Sequence, residues 1–242
     1  MQDSLPIALF TVGLLAGLPV NALVVSIPAF LERQWSLDAA QMLGQESPTE
    51  HRPRSSVSLL PDQINARFSM TLLVMGGLSS WAALHYGVGT SGLAALVLVG
   101  GLLTLSLIDL DHQLLPDVLV LPLLWLGLIV NSFELFTTLS HALWGAVGGY
   151  LVLWAIRFLS RLITGDYGIG QGDLKLLAML GAWGGWQILP VTLVLSSLVF
   201  AVVGSTLLAL GKIERTALVP FGPYLAAAGW LALLYTPAWS VV

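Results

Sequence analysis

Long apolar runs, interrupted by charge at only a few places, divide this chain. Ser4 to Leu31 carries no charged residue, and about 20 mostly apolar residues suffice for a helix to cross a bilayer. Residues 32–67 are polar, with Arg33, Arg52, Arg54, Arg67 and five acids. Phe68 to Ile108 again lacks Asp, Glu, Lys and Arg. It is long enough for two spans, with a break at the glycine-rich stretch His85–Gly92. Val118–Phe133 and Leu135–Ile156 predict spans four and five. Leu176–Gly211 is of double length, and the turn signals Gly184-Gly185 and Pro190 divide it. Thr216–Val242 supplies an eighth span.

Composition agrees with this reading. The chain of 242 residues is 57% hydrophobic and 9% charged, whereas a soluble domain carries roughly 25% charged residues. The formal net charge of −4 rests on too few groups to point to a partner other than the lipid bilayer, and no nucleic-acid partner is expected. With no cysteine, a disulfide framework and a Cys-based zinc site are excluded. The first thirty residues superficially suggest a signal peptide. Asp3 stands where a basic segment would be, however, and the apolar run is long, so a retained span is expected.

The cations orient the spans. Arg33, Arg52, Arg54 and Arg67 fall between spans one and two, Arg157, Arg161 and Lys175 between five and six, and Lys212 and Arg215 between seven and eight. These nine residues are all the lysines and arginines of the chain, and all lie on one side of an eight-span arrangement. By the positive-inside rule that side is cytoplasmic and both termini face outward. The expected fold is an all-α polytopic membrane protein of about eight transmembrane helices. It comprises a first helix over 1–31, a small cytoplasmic loop region over 32–67 and a seven-helix core over 68–242.

Two polar segments then need a reason. Residues 108–117 read IDLDHQLLPD, and residues 168–175 read GIGQGDLK. On this topology Asp109 ends span three and Asp173 opens span six, both at the cytoplasmic membrane edge. Carboxylates there are costly and face a bundle interior or a wet cavity, so two at one depth can share a site although 64 positions separate them. A close pair keeps one proton. The ionised member can take a proton from water while the protonated member hydrogen-bonds a scissile carbonyl, chemistry that needs neither metal nor thiol. Gly170 and Gly172 would allow positive φ and close approach of an extended substrate. Asp111, Asp117 and Lys175 complete the polar edge, and the acids Asp109, Asp111, Asp117, Asp166 and Asp173 make a mouth that would attract a positively charged segment.

Plainer roles compete. Asp117 follows Pro116 and would cap span four, Asp173 could also be a cap, and Lys175 could be a positive-inside anchor. Asp111 and His112 suit a solvated interface, since one His near acids is weak support for a metal site. A transporter with intramembrane acids would place them near the midplane, often within a repeat, and neither is seen here. A non-catalytic membrane scaffold is the other alternative.

The two acid motifs, with Asp109 seven residues before Pro116 and Gly170, Gly172, Asp173 and Lys175 in a G-x-G-D-x-K pattern, closely resemble the type IV prepilin peptidases. GLLAGLPVNALVVSIP (13–28) resembles the family's first-span signature, keeping Gly17, Asn21 and Pro28. INARF (64–68) resembles the opening of its second span, and VPFGPYLAAAGW (219–230) its last-span signature. The resemblance implies a GxGD-type aspartic protease of the bacterial inner membrane, with Asp109 and Asp173 as its catalytic acids. Its substrates would be prepilins and pseudopilins of type IV pili and type II secretion. The basic leader would be cut at the cytoplasmic face after a Gly, just before the hydrophobic helix. Proteolysis requires no cofactor. Many members also N-methylate the new terminus, so S-adenosylmethionine is implied if that activity is retained. Two departures stand out. The zinc-binding C-x-x-C pairs usual between spans one and two are missing, and His51 alone will not hold zinc, so no zinc is expected. Leu72 stands where the second span commonly has a Glu in a region associated with methylation.

Overall fold

The computed structural model describes residues 5–43, 66–165, 168–212 and 219–235. Most of the 36–63 segment, with His51, lies outside them, as do Asp166, Ile64 and Asn65. The described residues form eight α-helices and no strand: α1 (Leu5–Met42), α2 (Ala66–Tyr86), α3 (Thr90–His112), α4 (Asp117–Asn131), α5 (Leu139–Thr164), α6 (Gln171–Gly184), α7 (Ile188–Ala209) and α8 (Gly222–Tyr235). The chain is a polytopic membrane protein.

Each predicted span has its helix, but the ends differ. α1 runs eleven residues past the apolar stretch, through ERQWSLDAAQM, because that segment holds no Gly or Pro and is rich in helix formers. At 1.5 Å per residue α1 is about 57 Å long, well beyond the roughly 30 Å of bilayer hydrocarbon. α5 likewise continues past Ile156 until Gly165, at φ 79°, adopts the left-handed cap. Arg33, Arg67, Arg157, Arg161 and Lys175 therefore sit within helices rather than in loops. α3 reaches His112, where Gln113 (φ 53°) turns the chain and its N–H bonds the Asp109 carbonyl. Only residues 113–116 link α3 to α4.

Five helices (α1, α2, α3, α5 and α7) are long and apolar enough to cross a membrane. α4 has 15 residues and α6 and α8 have 14 each, so the last two are about 21 Å long. Their shortness goes with burial, since every residue from Leu176 to Trp183 is buried.

The chain forms two compact units, 1–84 and 85–242. In the first, α1 and α2 meet through small residues. A Cβ on Gly13 would lie 2.6 Å from the Ser79 Cβ, and one on Gly17 would lie 2.7 Å from a Leu72 methyl. Membrane helices, lacking a hydrophobic drive to associate, use such close approaches.

In the second unit α6 is the central helix, in contact with α4, α5, α7 and α8. Gly145 of α5 and Gly181 of α6 bring the two backbones into direct contact, and a Cβ on either would strike the other's carbonyl. On the α4 side the Trp183 indole occupies the space over Gly127, where a Cβ would be 2.6 Å away. Its Nε1–H donates to the Leu123 carbonyl at 2.8 Å. Asn131, fully buried at the end of α4, donates through Nδ2 to the Ala182 and Trp183 carbonyls, each at 2.8 Å. Its Oδ1 accepts from the N–H groups of Phe136 and Thr137 at 3.1 Å. Two of the last carbonyls of α6, which have no partner within the helix, are thereby satisfied. Replacing Gly181 with Val would force α5 and α6 apart. We expect a loss of about 3 kcal/mol, the upper part of the overpacking range, read as a lowered melting temperature in detergent. Gly204, with open space around it, is the control position.

Candidate active site

Three helix ends converge at one end of the second unit. Asp109 lies in the last turn of α3 and is 5% exposed. Its Oδ2 accepts a hydrogen bond from the Gly222 N–H at 2.9 Å. Gly222 is the first residue of α8, where N–H groups have no partner within the helix. Pro223 follows and has no N–H to offer, while Tyr224 and Leu225 both donate to the Phe221 carbonyl. The start of α8 thus directs one backbone donor at the Asp109 carboxylate, an arrangement that suits an anion.

Asp173 lies in the first turn of α6, ahead of the apolar run and outside the membrane-spanning segments, and is 8% exposed. It occupies the third helical position, and the N–H of Gly170 at the N-cap hydrogen-bonds its carboxylate, the acidic half of a capping box. Burial pushes the Asp173 carboxyl up to about 7; the charge of Asp109 adds to that, and the Gly170 bond opposes it. The capping and paired-acid readings of Asp173 are therefore compatible.

The two glycines act through space rather than through backbone conformation. Gly170 sits at φ −67°, and neither it nor Gly172 is among the residues with positive φ. A Cβ on Gly170 would lie 3.1 Å from Asp173 Oδ2, and one on Gly172 would lie 2.6 Å from the Leu115 Cβ. The room expected beside Gly172 for a substrate strand is filled by Leu115 of the α3–α4 link. The same side chain reaches Gly222, where a Cβ would lie 3.4 Å from Leu115 Cδ1 and 2.6 Å from Asp109 Oδ2. Leu115 is thus wedged between the backbones that carry the partners of both acids.

Asp117 does not cap α4. Pro116 holds the N-cap position and Asp117 is the first helical residue. Its two carboxylate oxygens each take a hydrogen bond from Lys175 Nζ at 2.7 Å. The pair ties the starts of α4 and α6, which is more specific than the membrane anchor expected for Lys175. Asp111 and His112 are exposed at the end of α3. Among the described residues no three His, Asp or Glu side chains group as they would around a metal ion. Gly222 went unnoticed as a site residue. Its signal lay in PFGPY, where a glycine beside a helix-starting proline marks an exposed backbone donor.

Residues 96–205 match the model of the type IV leader peptidase family. The chain is 46% identical to the prepilin leader peptidase/N-methyltransferase of Pseudomonas aeruginosa, over 92% of its own length and 88% of that protein. The chain belongs to the type IV leader peptidase family. Proteins with the same name from Stutzerimonas stutzeri and Burkholderia pseudomallei are 45% and 34% identical, each over 92% of the chain and over 88% and 83% of their own lengths. No solved structure matches significantly.

Lys175 and Asp117 are 30% and 52% exposed, and pairs so open to solvent contribute about 0–1 kcal/mol. Lys175→Met should lower stability by no more than that. The difference from wild type should shrink as salt is raised, measured by thermal unfolding at two ionic strengths.

Proposed function

We propose that this member of the family is a membrane-embedded aspartic endopeptidase whose catalytic acids are Asp109 and Asp173. It removes the basic leader of prepilins and pseudopilins at the cytoplasmic face of the bacterial inner membrane, with both of its termini in the periplasm. The observation that carries the reading is the convergence of these two buried carboxylates, from helices far apart in sequence, at one end of the bundle.

The geometry suits divided roles. Asp109, held by the Gly222 N–H, is the ionised member and takes a proton from the attacking water. Asp173, whose carboxyl is raised by burial, carries the proton and hydrogen-bonds the scissile carbonyl oxygen. Water oxygen adds to the carbonyl carbon as its proton passes to Asp109, and the oxygen that was the carbonyl gains the Asp173 proton; on collapse of the tetrahedral species the amine leaves with the proton that Asp109 received, and one hydroxyl proton returns to Asp173, so both acids are restored. An apolar substrate helix stays in the bilayer while its leader meets Asp111, Asp117 and the two acids from water.

The relatives' names join an N-methyltransferase to the peptidase. S-adenosylmethionine would supply the methyl group. Leu72, packed on Gly17, provides no carboxylate where the family commonly has one, so that position does not fit the group and no step is assigned to it. Transfer of label from S-adenosylmethionine to cleaved pilin tests this activity separately from cleavage.

Asp109→Asn and Asp173→Asn, each expressed at wild-type level, should lower prepilin cleavage by about 10²- to 10⁴-fold. Normal cleavage by either variant contradicts the paired mechanism. The pair needs one proton. Raising pH through about 7, where Asp173 ionises, should remove activity, and lowering it until both acids are protonated should remove it again. A pH–kcat/KM profile checks both limbs. Gly222→Ala, which sets a Cβ 2.6 Å from Asp109 Oδ2, should lower kcat and displace the acid limb, leaving KM little changed.

A further inference from the structure

The paired-acid reading leaves open what selects the residue on the N-terminal side of the cut. We propose that Leu115 is the specificity-determining residue that restricts that position to glycine; this rests on the function proposed above. The Leu115 side chain stands 2.6 Å from the place a Cβ would take on Gly172. It stands 3.4 Å from the place a Cβ would take on Gly222, a place itself 2.6 Å from Asp109 Oδ2. Gly172 directly precedes Asp173 in α6. A branched apolar side chain therefore lies against the backbones beside both acids, and on this proposal a substrate backbone passes along it to bring its carbonyl to the pair.

Leu115 is also restrained. It precedes buried Pro116, the N-cap of α4, and the residue before a proline is confined to extended conformations. Two residues before Leu115, Gln113 closes α3 through its backbone bond to Asp109. The link therefore fixes the wedge from both sides. Opposite Leu115 are glycines, 172 on α6 and 222 on α8, so neither wall can yield by moving a side chain. A substrate residue without a Cβ passes between wedge and acids, and one with a Cβ meets Leu115.

The test uses the full-length protein in proteoliposomes with a prepilin carrying Gly or Ala before the cut, comparing kcat/KM for the two. Wild type should disfavour Ala by about tenfold or more, the discrimination a single added carbon commonly supports. Leu115→Ala should narrow that ratio by about tenfold, chiefly by raising the rate on the Ala substrate, and Leu115→Val should narrow it less. Leu115→Met, similar in volume, should keep it. A wild-type ratio in Leu115→Val and in Leu115→Ala overturns the proposal, including when both variants lose rate equally on the two substrates, which would make Leu115 a packing residue only. If Leu115→Ala does not fold, the ratio in Leu115→Val decides. A wild-type protein that cleaves neither substrate overturns the paired-acid reading itself, whereas cleavage of the Gly substrate with an unmoved ratio overturns this inference alone.

Discussion

The hydrogen bond from the Gly222 N–H to Asp109 Oδ2 is the contact on which the site depends. A carboxylate inside an apolar bundle must be given a partner or protonated. Nearby cations cannot serve, because Lys175 is engaged by Asp117. The partner is instead a backbone donor at a helix start, a group left without a partner inside the helix. It also fixes the start of α8 to the end of α3, with the start of α6 held close by through Leu115.

That junction needs a rigid base, and α6 supplies it. Its far end is held by Asn131 and Trp183, and its flank by glycine contact with α5. Asn131 and the Trp183 indole tie that end to α4 by three hydrogen bonds, so α6 has little freedom to slide along its axis. Asp173, in its first turn, inherits that register. The division of labour follows: packing sets depth, and backbone donors set the position of the acids.

Much of this was readable from residue order. The apolar runs mark all eight helices, and the places of Asp109 at a helix end and Asp173 at a helix start followed from where one run stops and another begins. Helix ends were less legible, because ERQWSLDAAQM is polar yet a good helix former, and polarity reports solvent rather than the end of a helix. Asp117 looked like a cap, but capping geometry fell to Pro116, and the acid found Lys175 across 58 positions. Positive φ was expected at Gly170 and Gly172; both serve by small size instead, which depends on a neighbour, Leu115, that local sequence does not reveal. Gly222 lies 113 positions from its acid, and a backbone donor has no side chain by which to be noticed.

The central claim is that Asp109 and Asp173 meet. The chain has no cysteine, so Asp109→Cys with Asp173→Cys gives a clean pair for oxidative cross-linking in native membranes. A protease site inserted in the link between α4 and α5 would separate the two cysteines onto different fragments. The account predicts that the cut fragments stay joined until a reductant is added, and that a Ser132→Cys with Asp173→Cys control separates. Fragments that part without reductant, although both thiols react with a maleimide, would contradict it.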